Sequence, residues 1–229
     1  MRLFVALEIP EPVRREVRRR VAGLRERLPR ARWVDPDVLH LTLLFLGEVA
    51  PEGVAELAGR LGQAFGTHPA LPLRLTGGGT FPAGRPARVA WIGVAGPPEL
   101  APLQAAVVRA AREALEIREA GERPYQPHVT LARCPSPWPR GAAEKFAAAF
   151  PAEIGPPFVA DRGVLVESRL SPRGPRYRHL AELPLAAAPG EEPGVGSEPG
   201  AEEERGSGRN ASAEEPDSGK AGSAGERSA

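Results

Sequence analysis

Two short motifs in the chain combine a histidine with a threonine at the same spacing. The first is His40-Leu41-Thr42-Leu43 and the second is His128-Val129-Thr130-Leu131. On a β-strand, alternate side chains share a face, so each histidine would lie beside its threonine while the apolar residues pack inward. With four histidines in 229 residues, only about 0.09 chance His-x-Thr matches are expected. The pair therefore indicates a functional site.

These residue types can open a cyclic phosphodiester without a metal ion or another cofactor. In-line attack needs a base that takes a proton from water and an acid that protonates the leaving oxygen. Two histidines can fill both roles near neutral pH, since their ordinary pKa is about 6.5. Threonine hydroxyls can hold the non-bridging oxygens. We predict that His40 and His128 transfer protons while Thr42 and Thr130 bind the phosphate.

The motifs and several other stretches resemble the 2H phosphoesterase superfamily. Within it they are similar to the RNA 2′,3′-cyclic phosphodiesterases, which are also called 2′-5′ RNA ligases. The matching stretches are Leu3–Leu7, His40–Leu43 followed by Phe45–Glu48, Phe81-Pro82, Pro127–Arg133 and the segment from Glu167-Ser168 to Tyr177. The resemblance extends from about Met1 to Leu185.

The resemblance implies a bilobed, pseudo-symmetric α+β fold, with two antiparallel sheets around a central cleft and helices outside. It assigns His40 as the proton donor to the departing ribose oxygen and His128 as the proton acceptor that activates water. The product would be RNA with a 2′-phosphate end, and the reverse reaction would join RNA ends without ATP. The implied partner is RNA with 2′,3′-cyclic phosphate ends, such as tRNA fragments, and the protein is expected to be a monomer.

Two residues close to the motifs have less certain positions. Strict alternation places Arg133 on the face opposite His128 and Thr130, so contact with the phosphate requires the strand to end or bulge there. The alternative for Arg133 is a cation that caps the sheet edge or binds backbone carbonyls. Phe45 has the same parity as Leu41 and Leu43, which predicts a place in the core rather than the alternative role of a base-stacking platform.

Hydrophobic periodicity predicts an α+β chain made of two similar halves, each with the order strand, helix, histidine strand, helix, strand. Strands are predicted at Arg2–Glu8, Leu39–Leu46, Leu71–Leu75, Arg88–Val94, His128–Arg133, Phe158–Ser168 and Tyr177–Leu183. Helices are predicted around Val13–Leu28, Val54–Phe65, Leu100–Leu115 and Ala142–Phe150. Gly77–Gly79 lacks the Gly-Lys-Ser/Thr ending of a phosphate loop and is predicted to be a flexible turn.

Composition divides the chain into a catalytic domain at residues 1–186 and a disordered tail at residues 187–229. The tail contains one valine, no other large apolar residue, and mainly Gly, Glu, Ser, Pro and Ala, so it cannot offset its own ordering entropy. It has ten acidic and four basic residues, while the whole chain has a net charge of +1. The remaining body is basic, which suits a polyanion or simply an arginine-rich protein.

Cysteine content and hydropathy suggest the compartment. Cys134 is the only cysteine, which excludes an internal disulfide framework and a cysteine-based metal cluster and suits a reducing interior. No stretch approaches the roughly 20 apolar residues that span a bilayer. We expect a cytoplasmic protein without a membrane segment.

Three alternatives remain at this point. A zinc hydrolase could use His40 and His128 as ligands, but the spare histidines, His68 and His179, do not form a recognisable ligand spacing. Another 2H branch would act on a different cyclic or 2′-linked phosphoester. A non-catalytic RNA-binding module would keep the cleft as a recognition surface, and a turnover assay distinguishes it from an enzyme.

Overall fold

The computed structural model describes residues 1–83, 86–115, 124–171 and 174–187. Its strands are β1 (Arg2–Glu8), β2 (Arg32–Trp33), β3 (His40–Glu48), β4 (Leu71–Phe81), β5 (Ala87–Ala95), β6 (His128–Trp138), β7 (Ile154–Ala160), β8 (Arg162–Ser171) and β9 (Gly174–Pro184). Its helices are α1 (Glu11–Leu24), α2 (Val54–Gly66), α3 (Leu100–Leu115) and α4 (Arg140–Ala148). Apart from Ala187, the predicted tail lies outside the described residues.

Two antiparallel sheets form the framework. The first has the strand order β3-β1-β8-β9 and the second has the order β2-β6-β5-β4-β7. This confirms the α+β fold with two antiparallel sheets. The predicted order of strand, helix, histidine strand, helix and strand occurs twice, first as β1-α1-β3-α2-β4 and then as β5-α3-β6-α4-β7. The sheets do not follow this division of the chain, because β4 joins the second sheet while β8 and β9 return to complete the first. Hydrophobic periodicity identifies strands but carries no information about which sheet edge each one joins.

The amphipathic helices bury the side chains that the spacing predicted. Helix α1 begins with a proline in its first turn and buries Val13, Val17 and Val21. Helix α2 buries its own stripe of Leu57, Leu61 and Phe65 in the same way. Fully burying one such side chain contributes about 1.5–3 kcal/mol, so the helices are held mainly by these faces.

The triple glycine belongs to a strand, so the predicted flexible turn is wrong. Gly77–Gly79 continues β4 through a β-bulge and pairs with β5. A Cβ atom at Gly79 would lie 2.3 Å from the Trp91 ring, and one at Gly78 would lie 3.2 Å from Phe150. The glycines therefore let an indole pack on one side of β4 and a helix-end aromatic on the other.

Other strand boundaries also differ from the sequence analysis. The single strand predicted at Phe158–Ser168 is two strands, because the chain turns at Asp161 between β7 and β8. Strand β6 continues to Trp138, beyond the predicted end at Arg133. Strand β2 was not predicted, since a two-residue strand is too short to show a period.

Candidate active site

The two motif histidines begin strands that belong to different sheets. His40 is the first residue of β3, an edge strand of the first sheet, and His128 is the first residue of β6, which lies beside edge strand β2 of the second. Strands β3 and β6 contact each other, so the sheets meet at the two strands that carry the motifs. The charge of His128 is among the causes that lower the pKa of His40. The structure therefore brings the predicted pair together.

Both imidazoles are held through the same ring nitrogen. Nδ1 of His40 is 2.9 Å from the carbonyl oxygen of Val38, and Nδ1 of His128 is 2.7 Å from that of Gln126. A carbonyl oxygen can only accept, so Nδ1–H donates in each case and the neutral ring keeps its lone pair on Nε2. Each histidine is thus oriented by a carbonyl two residues earlier, with Nε2 as the atom that can exchange a proton.

Aromatic side chains surround the two histidines in different ways. The His40 ring stacks on Phe4, with ring centroids 4.7 Å apart, and meets Tyr177 edge to face at 5.5 Å. The His128 ring meets Phe81 edge to face at 5.1 Å and lies 6.0 Å from Trp91. Beside His40, a cavity of about 140 Å³ opens over the cleft face of the first sheet.

Burial is the main cause that lowers the pKa of His40 below its ordinary value of 6.5. The positive charges of Arg133 and His128 lower this pKa further, while the hydrogen bond to Val38 opposes the shift. Desolvation and like charges both disfavour the imidazolium form. Without a bound anion, His40 is therefore held mainly in its neutral form at neutral pH.

The two threonines occupy matching positions beside the histidines. Thr42 and Thr130 are half-buried and stand two residues beyond their histidines, on the same face of β3 and β6. Within the described part of the chain, neither hydroxyl makes a hydrogen bond to another residue. Both hydroxyls can therefore bind a ligand oxygen.

A β-bulge follows the histidine and threonine in each motif. In β3, Leu43 is the extra residue, because Val5 pairs with Leu44 while Ala6 pairs with Thr42. In β6, the corresponding extra residue is Leu131, next to the pair formed by Trp91 and Thr130. An extra residue shifts the alternation of every side chain that follows it.

The bulges overturn the faces predicted for Phe45 and Arg133. Phe45 was predicted to lie in the core, but it is 62% exposed and lies on the face of His40 and Thr42. Arg133 was placed opposite His128 by strict alternation, but it is exposed on the same face as that histidine. The two residues occupy equivalent positions in the two sheets.

The guanidinium of Arg133 acts across the cleft. Its positive charge lowers the pKa of His40 and also opposes the rise that burial causes in the pKa of Tyr177. Because both rings belong to the first sheet and Arg133 belongs to the second, the arginine faces the seam between the sheets. This position is compatible with the predicted phosphate contact.

The two spare histidines do not join the site as metal ligands. Nδ1 of His68 lies 2.9 Å from the carbonyl oxygen of Ala64, and Nε2 of His179 lies 3.5 Å from a carboxylate oxygen of Glu8. Among the described residues, no three His, Cys, Asp or Glu side chains form a group that could hold a metal ion.

None of the described helices has the length and apolarity needed to cross a bilayer.

The aromatic neighbours were missed by the sequence analysis. Phe4 and Tyr177 lie in stretches that carried the family resemblance, but no motif singled them out as neighbours of His40. Trp91 shares β5 with two buried residues, Ala90 and Ile92, that flank it on the opposite face. That alternation is the one signal that could have placed the indole on the cleft face.

Comparison with known proteins identifies the family. Residues 10–169 match the 2′-5′ RNA ligase superfamily. The RNA 2′,3′-cyclic phosphodiesterase of Thermus thermophilus is 36% identical over 204 residues, which cover 86% of this chain and 96% of that protein. The enzyme of the same name from Archaeoglobus fulgidus is 32% identical over 79% of this chain and 98% of its own length.

Solved structures show the same relationship. The crystal structure of TT0787 from Thermus thermophilus superposes with a TM-score of 0.68 at 29% identity, covering 82% of this chain and 99% of that one. Apo LigT from Escherichia coli gives a TM-score of 0.60 at 26% identity, covering 81% and 97%. The chain therefore belongs to the 2′-5′ RNA ligase superfamily of 2H phosphoesterase enzymes.

Proposed function

We propose that this protein is an RNA 2′,3′-cyclic phosphodiesterase that opens the cyclic phosphate at an RNA end to a 2′-phosphate. One observation carries the proposal: two histidines from two sheets meet at one seam, each with Nδ1 fixed by a carbonyl and Nε2 available. Two such groups, one neutral and one protonated, are what in-line hydrolysis of a phosphodiester requires. The reaction proposed here needs no metal ion.

His128 acts as the proton acceptor and His40 as the proton donor. Nε2 of His128 takes a proton from water as the water oxygen forms its bond to phosphorus. The bond between phosphorus and the ribose 3′ oxygen breaks, and that oxygen receives the proton from Nε2 of His40. Burial and the positive charge of Arg133 lower the pKa of His40, and the bound phosphodiester anion opposes this shift and favours the protonated donor.

The remaining cleft side chains hold the substrate. The hydroxyls of Thr42 and Thr130 donate to the non-bridging oxygens, and the Arg133 guanidinium stabilises charge that builds up on them. Phe45 has an exposed ring on the His40 side, where the ribose of the cyclic end lies in this mechanism. That ring suits stacking of the terminal nucleobase, which is sequence-tolerant because every base has a π-face.

The relatives support this assignment. Several proteins about 30% identical to this chain are named RNA 2′,3′-cyclic phosphodiesterase. LigT from Escherichia coli, 27% identical with a TM-score of 0.61 in one structure, has been solved with 3′-AMP and with phosphate. Joining of RNA ends through a 2′-5′ bond uses the same groups: an RNA 5′ hydroxyl replaces water as the nucleophile, gives its proton to His128, and forms its bond to phosphorus as the 3′ oxygen leaves with a proton from His40. We propose a monomer, since one chain supplies both histidines.

The direct test offers a short RNA with a 2′,3′-cyclic phosphate end to the full-length protein in the presence of EDTA. The expected product ends in a 2′-phosphate, identified by mass spectrometry and by comparison with synthetic 2′- and 3′-phosphate standards. A 3′-phosphate product or dependence on added metal would contradict the mechanism. Binding without turnover would instead favour the RNA-binding module.

A further inference from the structure

Arg32 lies beside Arg133 in the second sheet. Strand β2 pairs with β6 so that Arg32 is opposite Arg133 and Trp33 is opposite Ala132. Residues directly opposite each other on adjacent strands point to the same face. Ala132 is buried and Trp33 packs against the core, so this pair faces inward. The two arginines are both exposed and share the cleft face.

The backbone that carries Arg32 is firmly placed. The ring of Trp33 lies 6.1 Å from that of Trp138 and 6.5 Å from that of Phe146, both fully buried. The next amide, at Val34, donates to the carbonyl of Leu131 over 2.8 Å. Strand β2 therefore holds the backbone of Arg32 at a fixed position beside the site.

Among the described residues, no acidic side chain balances the charge of this arginine pair. Within residues 1–83, 86–115, 124–171 and 174–187, neither Arg32 nor Arg133 makes a salt bridge or a side-chain hydrogen bond. By contrast, Arg14 and Arg18 of α1 both pair with Glu11. Like charges directly opposite each other destabilise a sheet. The packing of the fold therefore does not account for the arrangement, whereas an anionic ligand does.

We infer that Arg32 binds the phosphodiester that joins the terminal nucleoside to the rest of the RNA chain. This inference rests on the proposed function, in which Arg133 contacts the reacting phosphate. Paired residues on neighbouring strands are about 4.5–5.5 Å apart, and two long side chains at that spacing can contact successive phosphates of one strand. A mononucleotide has no such phosphate, so the arrangement makes the protein selective for oligonucleotide ends.

The kinetic test compares adenosine 2′,3′-cyclic phosphate with a dinucleotide that has the same cyclic end. For the wild-type protein, kcat/KM should be roughly tenfold higher for the dinucleotide than for the mononucleotide. That is the factor expected from one charge-assisted hydrogen bond. Arg32→Gln should remove most of that preference. Replacing the linkage of the dinucleotide with a neutral methylphosphonate should lower kcat/KM by the same factor for the wild-type protein. The same replacement should not lower kcat/KM for Arg32→Gln any further. Arg109→Gln, which removes one exposed charge from helix α3, should keep the wild-type preference.

A binding test decides the inference even if the proposed function is wrong. Each phosphate contact on a single strand contributes about 0.7 to the slope of log affinity against log salt concentration. For a labelled oligonucleotide with a 2′-phosphate end, Arg32→Gln should reduce this slope by about that amount and Arg109→Gln should leave it unchanged. Failure of the wild-type protein to hydrolyse either substrate would reject only the proposed function. An unchanged slope in Arg32→Gln, or equal kinetic losses on both substrates, would overturn the inference.

Discussion

The two halves of the cleft have the same backbone design and different chemistry. In both β3 and β6, a histidine, a threonine and a bulge follow each other at the same spacing. The residue brought onto the cleft face by the bulge is Phe45 on one side and Arg133 on the other. Both histidines have aromatic neighbours, but the residue after the bulge adds a further ring on the His40 side and a positive charge on the His128 side. Pseudo-symmetry places the proton-transfer groups, and the side chains after the bulges make their surroundings unequal.

The largest expected effect comes from removing either histidine. Alanine at His40 or at His128 should abolish most turnover of a cyclic-ended RNA, and the double variant should be little worse than the poorer single variant. Residues that act as one unit are not additive. The matched control is His68→Ala, because His68 makes the same kind of Nδ1 contact to a carbonyl outside the cleft. If the loss of turnover in the double variant equalled the product of the two single losses, the two histidines would act independently.

Removing a phosphate contact should cost less than removing a histidine. We expect Thr42→Val and Thr130→Val each to lower kcat by about a hundredfold to a thousandfold, since each removes one donor to developing charge. Thr67→Val, at the end of helix α2, should leave kcat unchanged because its hydroxyl contacts only local groups. Full activity in both cleft variants would rule out the proposed role of the hydroxyls.

Substitutions at Phe45 test whether the His40 side of the cleft binds a nucleobase. Phe45→Leu should reduce kcat/KM on a base-bearing cyclic nucleotide by about tenfold more than on the corresponding abasic ribose phosphate, because only the first can stack. Phe45→Trp should keep the preference for a base. Val159→Ala is a matched control, since Val159 is also 62% exposed but lies on β7. An equal loss on both substrates would assign Phe45 a role other than stacking.

The smallest expected effect is on stability. Because the pKa of His40 is lowered in the folded protein, folding favours the neutral ring. The resulting contribution to the free energy of unfolding is fully present above pH 6.5. As the pH falls below 6.5, the unfolded chain takes up a proton first and stability is lost. The free energy of unfolding should therefore fall more between pH 8 and pH 5 in the wild-type protein than in His40→Gln. The free energy of unfolding is measured by denaturant titration at each pH. An equal fall in both proteins would show that burial of His40 does not contribute to the pH dependence of stability.

Much of the site could be predicted because its signals are local. The repeated His-x-Thr spacing was enough to select His40, Thr42, His128 and Thr130, and strand alternation placed each pair on one face. The helices followed from apolar stripes such as the one in α2. These features depend on residues within a few positions of each other, where the period of a strand or helix is a reliable guide.

The rest depended on contacts between distant segments. The bulges that turn Phe45 and Arg133 toward the cleft are set by pairing with β1 and β5, which the motif itself does not encode. The same holds for Gly79, whose missing Cβ makes room for Trp91 on the neighbouring strand. Periodicity also could not reveal β2, because its two residues are held by packing of Trp33 and by pairing with β6.

The most direct test of the unequal roles compares substrates with different leaving groups. A phosphodiester with a much better leaving group needs little protonation of the departing oxygen, but it still needs a base to activate water. Its rate of hydrolysis should be measured with the wild-type protein, His40→Ala and His128→Ala at several pH values. We expect the better leaving group to rescue His40→Ala far more than His128→Ala. Equal rescue of both variants, or rescue of His128→Ala alone, would contradict it.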